Sequence, residues 1–111
     1  MTFNARKDGR GPLVIEVDGQ LIVGNRQELK QMVLDALEGG DRKFLIDFTK
    51  TGYIDSSGLG VLVSLSKKIR DEGGDLRLAG LNEDLKTLFE LTKLDTLFAI
   101  SDSAQDALSA F

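Results

Sequence analysis

Tyr53-Ile54-Asp55-Ser56-Ser57-Gly58-Leu59-Gly60-Val61-Leu62-Val63 decides how the chain is read. A strand-like apolar run ends at Ile54, and a helix-like apolar pattern starts soon after it. One acid and two hydroxyls stand at the junction. Ser and Asp are favoured there because their oxygens accept N–H groups that the first helical turn leaves without partners. The plain reading is a helix cap made by Asp55, Ser56 or Ser57. A second reading uses the same physics. Outward N–H groups and the helix dipole favour an anion, so a hydroxyl at this place can carry a phosphate.

The glycines add to this choice. Two glycines in an opening turn cost roughly 1 kcal/mol each against alanine. Gly58 and Gly60 either let a neighbouring strand approach closely or leave the backbone bare for another protein. A lone Gly-x-Gly without a following Gly-Lys-Ser/Thr is no nucleotide loop. Nor is this a Gly-x-Ser-x-Gly elbow, because Ile54 and Asp55 stand two residues before the serines. At about 100° per residue, Val61, Leu62, Leu65 and Ile69 share one helix face, expected to meet a sheet. Leu59, Val63, Ser66 and Arg70 lie on another. That second face is expected either as an exposed docking surface beside the serines or as a contact with an adjacent helix.

Outward from the junction, strand and helix patterns alternate. Residues 3–6 are expected as an edge strand, followed by the turn cluster Asp8-Gly9-Arg10-Gly11-Pro12. Leu13, Ile15 and Val17 alternate as in a half-buried strand, with residues 20–23 a short extension. Asn25 is expected to cap a helix, with Glu28 reaching back, and Leu29, Met32, Val33, Ala36 and Leu37 follow at helical spacing up to Gly39-Gly40. Lys43-Phe44-Leu45-Ile46-Asp47-Phe48 suits a central strand covered on both faces. Residues 49–52 are expected as a loop. The junction helix runs to about Asp71, and a strand follows at Leu76-Arg77-Leu78-Ala79-Gly80. Asn82 caps a third helix carrying Leu85, Leu88 and Phe89. Residues 97–100 form a last strand, and Ala104, Ala107, Leu108 and Phe111 are in phase on a final helix. The order implies one α/β domain over residues 1–111: a mixed, mainly parallel sheet of four to five strands with about four helices and an antiparallel N-terminal strand pair.

Composition narrows the chemistry. The 111 residues are 41% hydrophobic and carry a formal charge of −4, which speaks for a globular chain and gives nucleic-acid binding no support. Residues 1–11 contain no apolar stretch of the secretion-signal kind, and no run approaches the length of a membrane span. With no cysteine, a cytoplasmic setting is expected. The chain also has no histidine, and the two absences together exclude a Ser-His-Asp triad, a Cys nucleophile and a usual zinc site. No metal or cofactor is expected, and the protein is expected not to be an enzyme.

Asp55-Ser56-Ser57-Gly58-Leu59-Gly60, after Ile54 and before an apolar helix, resembles the signature of the STAS domain, and more narrowly the bacterial anti-sigma factor antagonists. The resemblance extends over nearly the whole chain. Gly19-Gln20-Leu21 is similar to the family's Gly-Glu-Leu turn, and Phe44-Leu45-Ile46-Asp47-Phe48 to its central strand. Glu72-Gly73-Gly74 with Leu76-Arg77-Leu78 is similar to its helix exit and next strand. Phe89-Glu90-Leu91-Thr92-Lys93-Leu94-Asp95 and Ser103-Ala104-Gln105-Asp106-Ala107-Leu108 resemble its C-terminal pattern. The resemblance implies the STAS fold and a non-enzymatic switch. The unphosphorylated antagonist binds an anti-sigma factor that is also a serine kinase, and so frees a sigma factor. Phosphorylation of the serine directly after the aspartate, here Ser56, blocks binding, and a metal-dependent serine phosphatase resets it. Asp55, Ser57, Gly58, Leu59, Gly60 and Val63 would form the partner-binding surface. One departure stands out: the family's turn continues with aspartate, where this chain has Ile22.

Two other readings fit parts of the pattern. One is a STAS scaffold or subunit of a transport, lipid-handling or other signalling complex, with Leu59 and Val63 in a permanent interface. The other is a phosphoaspartate receiver acting through Asp47 with Mg²⁺. It needs an acidic pair after its first strand, and Val17-Asp18-Gly19 supplies one acid.

Overall fold

The apolar period of two sets the sheet in the computed structural model, which describes residues 2–111. Strand β1 (Phe3–Lys7) runs antiparallel to β2 (Leu13–Val17), in register from Phe3 opposite Val17 to Lys7 opposite Leu13. Strand β2 then pairs in parallel with β4 (Lys43–Asp47), β4 with β6 (Asp75–Ala79), and β6 with β7 (Ala99–Ser101). The order of this five-stranded sheet is β1-β2-β4-β6-β7. The expected mixed, mainly parallel sheet with an antiparallel N-terminal pair is thus what forms.

Helices cover both sides. Helices α1 (Arg26–Glu38), α2 (Ser56–Asp71) and α3 (Glu83–Leu91) bury Leu29, Val33, Leu62, Leu65, Ile69, Leu85 and Phe89 in one core with Ile15, Phe44, Ile46 and Leu78. On the opposite face α4 (Ala104–Ala110) buries Ala107 and Leu108 against Val14, Leu45 and Ala79. Strand β4 is therefore covered on both faces, as its continuous apolar run requires. Each fully buried Leu or Ile contributes about 1.5–3 kcal/mol relative to exposure. The last helix is held at its end by Arg77. Its Nη1 donates to the Ala110 carbonyl at 3.0 Å, and its guanidinium lies 4.8 Å from the centre of the Phe111 ring.

A two-stranded parallel sheet, β3 (Gly19–Leu21) with β5 (Thr51–Ile54), lies outside the sequence expectation. Residues 49–52 read as a loop, yet Thr51 and Gly52 belong to β5. The pairing is made by distant partners. Gly19 N–H donates to the Lys50 carbonyl at 2.9 Å, and Thr51 Oγ1 donates to the Val17 carbonyl at 2.7 Å. Gly19 has φ +102°, a conformation that glycine adopts cheaply, and there the chain passes from β2 into β3. The result puts the buried Leu21 and Ile54 directly before the start of α2.

Two smaller expectations are also revised. Asn25 stands at the α1 N-cap position but makes no side-chain cap. Its Oδ1 accepts the Ile22 N–H and its Nδ2 donates to the Gln20 carbonyl, both at 2.9 Å, so it closes the 22–25 loop instead. The last strand is displaced to Ala99–Ser101 because a 3-10 turn at Leu94–Thr96 takes up the preceding chain. Asn82 caps α3 as expected, accepting the Leu85 N–H at 2.8 Å.

Candidate functional site

Asp55 is the cap of α2. It is extended (φ −88°, ψ 176°), and its Oδ1 accepts the Gly58 N–H at 2.8 Å. The same oxygen accepts the Ser57 hydroxyl at 2.6 Å. Oδ2 accepts the Val23 N–H at 3.0 Å, across 32 residues of sequence. The Asp55 backbone N–H donates to the Leu21 carbonyl. One side chain thus ties the start of α2 to the 22–25 loop. The Ser57 hydroxyl and then the Gly58 amide hold the Asp55 carboxyl below its ordinary value against the opposing effect of burial, with smaller help from the Val23 and Ser57 amides.

The two serines are treated differently. The Ser57 hydroxyl is half-buried and spent on Asp55. Ser56 is exposed at the first helical position, and among the described residues nothing accepts or donates at its Oγ. Of the two hydroxyls, Ser56 is the one free to react.

The glycines also part company. A Cβ on Gly58 would lie 2.6 Å from the Leu21 carbonyl oxygen and 3.0 Å from Ile54 Cγ2, so close approach of strand β3 explains that residue. A Cβ on Gly60 would meet nothing within 4 Å, and Gly60 is exposed. The two alternatives are thus divided between them, close approach at Gly58 and bare backbone at Gly60.

The second face of α2 divides as well. Leu59 is 8% exposed and belongs to the core, and Ser66 is equally buried. Of the two expectations for this face, Leu59 follows the packed one: it belongs to the core, and α1 packs against α2. Val63 is 37% exposed. Ser66 and Arg70 instead line a cleft of about 250 Å³ with Gly74, Asp75, Leu76, Leu97 and Ala99, towards β7. What stays open is a stripe of Ser56, Gly60 and Val63, spaced four and three residues apart along one helix face. Two exposed apolar residues that sequence reasoning missed flank its start: Val23 at 65% and Tyr53 at 57%. The burial pattern of β5 does not alternate, so Tyr53 gave no periodic signal, and Val23 is drawn in by a bond only the fold creates.

Asp47, the other acid singled out, is 6% exposed and serves the turn after β4, where its Oδ1 accepts the Thr49 N–H at 3.0 Å. Among the described residues no three acidic side chains are grouped to hold a metal ion, and no helix is long and apolar enough to cross a membrane.

Known proteins resemble this chain in sequence and in fold. The sequence profile of the STAS domain matches residues 3–107. A Bordetella bronchiseptica protein named as an anti-sigma factor antagonist, BtrV, is 27% identical over 101 residues, covering 91% of this chain and 87% of its own length. The anti-sigma-B factor antagonist of Staphylococcus aureus is 26% identical over 91 residues, 82% of this chain and 84% of that protein. A Thermotoga maritima crystal structure described as an anti-sigma factor antagonist superposes with a TM-score of 0.90 at 28% identity, covering 97% of this chain and 92% of that one.

Proposed function

The chain belongs to the STAS domain family, and from that premise we propose that it is a single-domain, non-enzymatic, cytoplasmic antagonist of an anti-sigma factor, switched by phosphorylation of Ser56. The observation that carries the reading is the contrast at the start of α2: Ser57 is committed to Asp55, while the Ser56 hydroxyl is exposed and unengaged. Relatives named as anti-sigma factor antagonists support the role.

In this reading the unmodified protein presents Ser56, the bare backbone of Gly60, and the apolar side chains of Val23, Tyr53 and Val63 to an anti-sigma factor that is also a serine kinase. Asp55 and Ser57 build the frame beneath them. Gly58 and Leu59 act from inside by letting α2 seat on β3. The binding frees a sigma factor. A metal-dependent serine phosphatase removes the phosphate and restores the binding form. Ile22 occupies the position of the family's aspartate, so this end of the surface is apolar, and the partner is expected to meet it with apolar groups.

The size of the effect is adequate for a switch. Phosphate adds about −1.5 to −2 charge at a helix start that tolerates an anion, so the fold need not open. A partner carboxylate about 4 Å away opposes each added charge by about 4 kcal/mol at an effective dielectric of 20. That is roughly a thousandfold in affinity.

The test is phosphorylation by the cognate kinase with ATP, followed by intact-mass and fragment analysis. One phosphate on Ser56 is expected. A label on Ser57, or no label with the true partner, would sink the assignment. The apolar patch also suits a STAS subunit in a permanent complex, and a stable stoichiometric partner that co-purifies and needs no kinase would favour that second reading.

A further inference from the structure

The charge on Ser56 would not arrive at an empty helix end. The Gly58 N–H is already taken by Asp55 Oδ1, which also accepts the Ser57 hydroxyl. The Leu59 N–H is used by the Asp55 carbonyl. A phosphate on the neighbouring residue would therefore compete with the Asp55 carboxylate for the Gly58 amide, and the two anions repel each other. Asp55 is also what holds the Val23 N–H, at 3.0 Å. Val23 is the most exposed apolar residue of the patch around Ser56.

We propose that Asp55 is a positioning residue that couples Ser56 to the 22–25 loop, so that phosphate on Ser56 displaces the Asp55 carboxylate, releases the Val23 amide and changes the partner surface at a second place. The proposal rests on Ser56 as the modified residue. It adds a conformational readout to the direct electrostatic one. The counterweight is Asn25, whose bonds to Ile22 N–H and the Gln20 carbonyl hold the same loop independently. The loop is thus expected to loosen at Val23 while remaining closed at Asn25.

Asp55→Asn separates the two duties of the carboxylate. Asparagine is a good N-cap and can keep its oxygen on the Gly58 N–H. Its NH₂ group then faces the Val23 N–H, two donors with no acceptor between them. The experiment follows amide hydrogen exchange by NMR in three full-length proteins: the unmodified chain, Asp55→Asn, and the chain with phosphoserine installed at position 56 by semisynthesis. Installing the phosphate chemically keeps the result independent of any kinase, so failure of a kinase to act tells only against the proposed function. Val23 exchange is expected to rise by about tenfold or more in both altered proteins, the scale of losing one charge-assisted bond, with Gly58 still protected. A Val23 amide as protected with phosphoserine as without it would overturn the proposal. So would a Val23 amide that is unprotected in the unmodified chain, or one that Asp55→Asn leaves unmoved.

Discussion

The inner and outer sides of the first turns of α2 carry similar residues under opposite constraints. Inside, Gly58 faces the Leu21 carbonyl with no room for a methyl group, and Leu59, Val61 and Leu62 are core. Outside, Gly60 faces open space, Val63 is partly exposed and Ser56 is free. The difference teaches that one short motif serves two ends. Its inner half seats the helix on β3, and its outer half is left exposed, as the proposed modification and contact require. A fixed inner half is what would allow the outer half to change charge without unfolding the domain.

The comparison breaks most visibly in the core. Leu62→Ala is expected to lower stability by about 2–5 kcal/mol, the usual range for a buried leucine, as read by urea denaturation. Gly58→Ala comes next. Its methyl would press on backbone rather than on a flexible side chain, and a loss of about 1–3 kcal/mol is expected. A neutral result there would show that the helix start is not seated tightly on Leu21. Gly60→Ala should have the opposite sign, a gain of up to about 1 kcal/mol from helix propensity, with weaker partner binding because the bare backbone is covered. Loss of stability at Gly60 would erase the distinction between the two sides.

The smallest effect is a pH dependence. Asp55 has a folded-state pKa below its ordinary value of 3.8, so the folded chain binds fewer protons there than the unfolded chain. Its contribution is complete above the ordinary value and is lost as pH falls through the lowered one. Stability of the native protein relative to Asp55→Asn should therefore decline below about pH 4 and be flat near neutrality. A difference between the two proteins that does not change on acidification would remove the Asp55 carboxylate from the frame.

The parts of this arrangement that depend on local pattern were readable in advance. The alternation of Leu13, Ile15 and Val17, the doubly covered run at Phe44 to Phe48, and the cap at the junction all follow from nearest neighbours in sequence. What the chain does over distance was not. The β3–β5 pairing joins segments about thirty residues apart, and although a short extension near residues 20–23 and a strand-like run up to Ile54 were legible, nothing local says that the two pair. Helical phase separated Leu59 from the face of Val61, Leu62, Leu65 and Ile69, but phase cannot say that the core would close over it. Asn25 has the chemistry of a cap, and only the folded loop reveals that Ile22 and Gln20 claim its side chain first. The choice of Ser56 over Ser57 came from the family resemblance. The geometry now supplies a physical reason for it, since Asp55 already occupies the other hydroxyl.

The central claim is that the outer side can be switched while the inner side stays intact. It is tested most directly by preparing the protein with phosphate on Ser56 and without it, then titrating each against its anti-sigma factor and melting each alone. The account predicts that affinity collapses by orders of magnitude while the melting temperature barely moves. Equal affinities, or a loss of binding matched by a large fall in melting temperature, would contradict it.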